Sequence, residues 1–236
     1  MEGVRRVWGN AEVAHVTGGF AVTLDGRPIR LSSGATLLIS SRRLGDAIAE
    51  EWATPAHGAT IRREQILLTR LAGALQEWIA PDPGPTIAAL CTYGATELIC
   101  YRAPGPEALT RREQALWQPW LDWARETLGA ALEVTTGVMP IAQPEEPLAA
   151  LRRAVAQSDS PALAALGVAV PALGSLILGL AVVRGEIGVA EAAEAAFVDE
   201  LFQAESWGED AHAAERRAEI TSEVAMAEQF VRLARA

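Results

Sequence analysis

Ser160-Pro-Ala-Leu-Ala-Ala-Leu-Gly-Val-Ala-Val-Pro-Ala-Leu-Gly-Ser-Leu-Ile-Leu-Gly-Leu-Ala-Val-Val183 decides the fold. No side chain between Asp159 and Arg184 is charged. A run of that length can cross a bilayer as one helix. Its punctuation argues against this. Pro161, Gly167, Pro171, Gly174 and Gly179 interrupt it, and a proline inside a helix removes one hydrogen bond and clashes with the preceding turn. Basic residues do not crowd either end, as an orientation signal would require. The pattern predicts two buried helices, 161–167 and 171–184, at the centre of an α-helical region.

Outward from this core the helical period continues. Toward the C-terminus it predicts helices over 189–206 and 210–235. Toward the N-terminus it predicts helices over 66–79, 86–99 and 147–157, and a long one carrying Trp117, Trp120 and Trp123 that Pro119 can kink. A short extended piece is expected at 132–136. Before residue 40 the period is that of strands. Glu12–Thr17 and Phe20–Leu24 alternate around Gly18-Gly19, a hairpin signal. Short strands are expected at 29–31 and 36–39, and Ser40 or Ser41 can cap a helix that lines up Leu44, Ile48 and Trp52. The fold class is therefore α+β: a small β-rich N-terminal domain over 1–60 and a larger all-α C-terminal domain over 61–236.

Composition narrows the functions. The chain has 236 residues, 50% hydrophobic, and a formal net charge of −10. Every base is arginine and there is no lysine. Nucleic-acid binding needs clustered positive charge, which this chain lacks. Cys91 and Cys100 do not make a disulfide framework, and their spacing does not match a zinc site. Met1–Trp8 lacks the apolar core of a secretion signal. A reducing cytoplasm fits these features, and a membrane protein using residues 160–183 is the rival reading.

The common catalytic patterns are missing. Gly18-Gly19 lies in a hairpin without a phosphate-loop context, and Gly174-Ser175 is not a nucleophile elbow. His15, His57 and His212 fall in three separate elements. The sequence thus points to no enzyme, no cofactor, no metal and no small-molecule substrate. The alternative is a soluble enzyme with an unrecognised carboxylate site using Asp199, Glu200 and His212.

One segment stands out against this background. Ala195-Ala-Phe-Val-Asp-Glu-Leu-Phe-Gln-Ala-Glu-Ser-Trp-Gly-Glu-Asp210 mixes large aromatics with acids, and no arginine falls between Arg184 and Arg216. It reads either as a display surface, with aromatic anchors and acids that select a basic partner, or as a core helix with a solvated acidic edge. The candidate partner-binding residues are Asp199, Glu200, Phe202, Trp207 and Glu209. Helical spacing puts Phe197, Glu200, Leu201 and Ala204 on one face. The Glu200 carboxylate can then bond to a partner arginine or to an arginine of this chain, for example in the last helix.

Several motifs in order resemble a known family. They are Leu68-Thr-Arg-Leu-Ala72, Tyr93-Gly-Ala-Thr-Glu-Leu-Ile-Cys-Tyr-Arg102, Trp117-x-Pro-x-Leu-x-Trp123, Gly137-Val-Met-Pro-Ile-Ala-Gln-Pro144, Gly174-Ser-Leu-Ile-Leu178 and Asp199-Glu-x-Phe-Gln-x-x-x-Trp-Gly-Glu-Asp210. Glu51-Trp52 and the Phe20–Pro28 hairpin also fit. Together they resemble the assembly chaperone of the F-type ATP synthase α subunit, the ATP-twelve family. The resemblance implies a non-catalytic protein that binds the unassembled α subunit, shields its interface and yields it to the β subunit. It implies a bacterial cytoplasmic location, with the mitochondrial matrix for eukaryotic relatives, and places the family's acidic position on Glu200. The chain departs from the pattern at Phe202, where Trp or Tyr is frequent, at Ile66-Leu67 in place of Met-Pro, and at Glu97 in place of Asp.

Overall fold

The computed structural model describes residues 4–236; Met1–Gly3, the start of the segment read for a secretion signal, lie outside the described residues. Strands β1 (Val4–Arg5), β2 (Ala11–Val16), β3 (Gly19–Leu24) and β4 (Arg27–Pro28) come first, then helix α1 (Arg42–Ala53) and strand β5 (Thr60–Ile61). After these the chain is mainly helical: α2 (Leu67–Ala74), α3 (Gly84–Ala95), α4 (Glu107–Trp123), α5 (Glu145–Ala156), α6 (Ser160–Leu173), α7 (Leu176–Arg184), α8 (Val189–Ala196), α9 (Val198–Trp207) and α10 (Ala211–Ala234). Two short strands, β6 (Tyr101–Arg102) and β7 (Thr135–Thr136), pair in parallel within the helical part. The class is α+β, with its small β part near the N-terminus.

The chain forms two compact units. The first runs to Pro83 and includes Ser160–Ala165 and Met226–Ala236; the second holds Gly84–Asp159 and Leu166–Ala225. The change of period near residue 60 therefore lies inside the first unit. Helices α6 and α10 each contribute residues to both units.

In the first unit β2, β3 and β4 form an antiparallel sheet, with Val16 opposite Gly19 across a Thr17-Gly18 turn. Residues 29–31 and 36–39 are held by single bridges, Arg30 to Thr36 and Ile39 to Phe20, and not as full strands. The inward face of β3 buries Val22 completely, beside Leu37 and Ile39. Helix α1 lies on this sheet. It comes close at Gly45, where an added Cβ would stand 3.1 Å from Val13 Cγ1. Ser41 caps α1 by accepting from Leu44 N at 3.1 Å, and Leu44, Ile48 and Trp52 are buried along one face. The far end of α1 then fixes α2. Glu51 accepts from Leu68 N (2.6 Å), Thr69 N (2.9 Å) and Thr69 Oγ1 (2.7 Å), which serves amides of the first turn of α2 that have no partner within the helix. Trp52 Nε1 donates to Thr69 Oγ1 at 2.9 Å, and Trp8 Nε1 donates to the Trp52 carbonyl at 3.1 Å.

The decisive stretch, which begins in the first unit and continues in the second, folds differently from the expectation drawn from its sequence. Pro171 lies within the last turn of α6 and does not divide two helices; the break comes at Gly174 (φ 68°). The reason is positional. Near the C-terminal end a proline costs one hydrogen bond, while glycine takes the left-handed conformation that ends a helix. Ser175 then caps α7 by accepting from Leu178 N at 3.0 Å. Every residue from Leu176 to Val183 is buried. Gly179 lets α7 meet α6, since a Cβ there would stand 2.6 Å from Val170 Cγ2. Among the described residues, no helix is long and apolar enough to cross a membrane.

Glu97 supports the start of α7 from a fully buried position. Its Oε2 accepts from Leu176 N (2.9 Å) and Ile177 N (3.2 Å). Burial pushes its carboxyl up to about 7, against opposing hydrogen bonds from Ser175 and nearby amides.

Candidate functional site

The aromatic and acidic segment does not form one continuous helix. It breaks at Phe197 (φ −109°, ψ 16°), so the helix expected over 189–206 is divided into α8 and α9. Phe197 and Val198 are buried at the joint, a β-branched residue following an aromatic one. The helical register survives the break, because Leu201 N donates to the Phe197 carbonyl at 2.9 Å. Asp199 and Glu200 occupy the first turn of α9, where acids are favoured by the helix dipole.

Helix α4 is the platform beneath this bend. Trp117 is buried, and its Nε1 donates to the Ala195 carbonyl at 2.7 Å, satisfying an acceptor in the last turn of α8. Arg112 reaches Glu205 of α9 at 2.7 Å and Glu194 of α8 at 3.8 Å. Between these contacts lies Glu113, fully buried. Both of its carboxyl oxygens accept from Ala103 N, at 3.1 and 2.9 Å. Asp199 of α9 lies near enough for its charge to disfavour ionisation of Glu113. Desolvation first, and then Asp199, push Glu113 up to about 7. Arg102 closes the network, with its guanidinium 4.9 Å from the Trp117 ring centre and Nη1 donating to the Glu113 carbonyl at 3.3 Å.

Glu200 belongs to α10 as much as to α9. Its Oε1 lies 2.6 Å from Arg216 Nη2 and its Oε2 lies 3.3 Å from Arg217 Nη1. Of the two bonds open to this carboxylate, the one within the chain is formed. Arg217 is nearly buried and also pairs with Glu209, and both acids raise its pKa against the opposing effect of burial. Gly208 (φ 98°, ψ 150°) makes the turn between the two helices. Asp210 starts α10 by accepting from Ala213 N at 2.9 Å.

The outer side is open. Trp207 is 83% exposed at the end of α9, Phe202 is half-buried, and Asp199, Glu205 and Glu209 are exposed. A shallow hollow of about 220 Å³ lies beside Trp207, between Glu200, Gly208 and Arg217. The structure thus gathers Glu200, Trp207 and Glu209 around one hollow, and directs Asp199 to Glu113 on the platform. His212 is exposed, and no group of three or more His, Cys, Asp or Glu that could hold a metal occurs among the described residues. The residues missed by the sequence are Arg102, Arg112 and Glu113. In sequence they look like ordinary charges of a helix and its approach, and only the tertiary partner distinguishes them.

This arrangement offers fixed, partly apolar and acidic contact area. A family model for the ATP12 chaperone protein matches residues 5–125. The crystal structure of Atp12 from Paracoccus denitrificans is 40% identical, with 98% of each chain covered and a TM-score of 0.87. An aspartate-to-lysine mutant of that protein matches at the same identity and TM-score. A protein of Agrobacterium tumefaciens described as a candidate chaperone is 35% identical over 97% of this chain and 85% of that one, with a TM-score of 0.88. On the strength of the family match and these structures, the chain belongs to the ATP12 chaperone family.

Proposed function

We propose that this chain is a non-catalytic assembly chaperone that binds the unassembled α subunit of F-type ATP synthase and shields its interface until the β subunit joins. Family membership supports the assembly role. The observation that carries the binding reading is Trp207, 83% exposed at the end of a helix whose neighbours are acidic. A tryptophan in water surrounded by carboxylates suits a partner surface that is apolar at its centre and basic at its rim. The proposed partner-binding region comprises Asp199, Glu200, Phe202, Trp207 and Glu209. Within it Glu200 and Glu209 act by holding Arg216 and Arg217, which sets the angle between α9 and α10. The proposed location is the cytoplasm of a bacterium.

Mixing the purified chain with isolated α subunit tests this. A one-to-one complex in size-exclusion chromatography that disperses when β subunit is added is the expected result. Cells lacking the chain should accumulate aggregated α subunit and little ATP synthase. If α subunit stays dispersed in those cells and no complex forms on mixing, the reading is wrong.

A further inference from the structure

The loop Gly137-Val-Met-Pro140 carries a second apolar projection. Val138 is 92% exposed and Met139 is 76% exposed. Its base is fixed on both sides. On one side β7 pairs with β6, and Gly137 N donates to the carbonyl of buried Arg102 at 2.8 Å. On the other side Gln143, itself buried, brackets Glu133: its Oε1 accepts from Glu133 N and its Nε2 donates to the Glu133 carbonyl, both at 2.8 Å. The side-chain amide thereby acts as a strand neighbour and closes the loop at its neck. Gly137 (φ 90°) makes the turn into the tip, in a conformation that strains other residues. Pro140 further restricts the tip. Such a knob loses little conformational freedom on docking, which favours its use as a contact.

Charge selects the partner class. No arginine lies between Arg125 and Arg152, while Glu133, Glu145 and Glu146 flank the loop and are exposed. Anionic lipid headgroups would be repelled by these shoulders. A protein pocket with a basic rim would be attracted.

We propose that Val138 and Met139 insert into an apolar pocket with a basic rim on the client protein, as a contact separate from helix α9. This rests on the reading of the client as the free ATP synthase α subunit. Calorimetric titration of isolated α subunit with the full-length chain and with the double variant Val138→Ser, Met139→Ser is the test. The variant should keep the melting temperature of the parent, because both side chains face solvent, and should bind about tenfold or more weakly. Glu145→Gln combined with Glu146→Gln should weaken binding at low salt and flatten its salt dependence. Undiminished binding by the loop variant, where the parent binds, overturns this contact alone. Absence of binding by the parent overturns the client reading and this contact with it. Flotation of the parent, but not the loop variant, with phosphatidylglycerol vesicles overturns the contact in favour of a lipid surface.

Discussion

Glu97 shows how one residue ties stability to pH. In the unfolded chain its carboxyl titrates near 4.5, and in the fold burial raises it to about 7. Between those values the folded state holds a proton that the unfolded state has released. Stability from this group is therefore full below about pH 4.5 and is lost as pH rises toward 7, by on the order of 3 kcal/mol. Denaturant unfolding at pH 5 and pH 8 should show this decline. Glu97→Gln removes the titration, and its unfolding free energy should vary less over the same interval. An unchanged pH dependence in the variant would show that Glu97 is ionised throughout. Glu200 makes a different case at the same scale. Its carboxylate is 40% exposed, so solvent screens much of its attraction to Arg216 and Arg217. Glu200→Gln should cost about 1 kcal/mol, a fall of about 2–4 °C in melting temperature. A variant that melts with the parent yet fails to bind α subunit would make Glu200 a direct contact instead.

At the scale of elements, the close approach of α6 and α7 depends on one missing side chain. A Cβ on Gly179 would meet Val170 Cγ2 at 2.6 Å and the Val170 Cα at 3.3 Å. Valine is stiff at χ1, and the Val170 backbone is held in helix. The helices must separate to admit a methyl group. Gly179→Ala should therefore destabilise the protein by about 1–3 kcal/mol, despite alanine's better helix propensity. Chemical denaturation measures this directly, and a more stable variant would show that the contact is slack. The bend between α8 and α9 is likewise a property of elements. It is held by Arg112 and Trp117 of α4, and not by any helix-breaking residue at Phe197.

Across the whole molecule, the net charge of −10 sets how a client is met. Opposite charge steers encounter and is screened by salt, with a Debye length of about 10 Å at 0.1 M. Association with α subunit should slow by about tenfold between 20 mM and 500 mM salt, while dissociation changes less. Stopped-flow binding over that range checks this; a salt-independent association rate would mean the acids contribute nothing to steering.

Much of this protein was determined by sequence alone. Strand alternation before residue 40 and helical periodicity beyond it are local steric and hydrophobic patterns, so the α+β class, a hairpin turn at Gly18-Gly19 and a serine cap at 40 or 41 were legible without partners; the structure shifts the turn to Thr17-Gly18 and puts the cap on Ser41. The motif order also carried the family resemblance. What only the tertiary structure decided depends on contacts between residues far apart in sequence. The first turn of α7 is served by the buried Glu97, 79 residues from Leu176 in the chain. The break at Phe197 was set by α4, and the pairing of Glu200 by α10. A carboxylate's environment is made by whatever packs against it, and no local period encodes that. Glu113 therefore reads in sequence as one more surface acid, and in the fold as a buried carboxyl that accepts from Ala103 N and whose pKa is raised by desolvation.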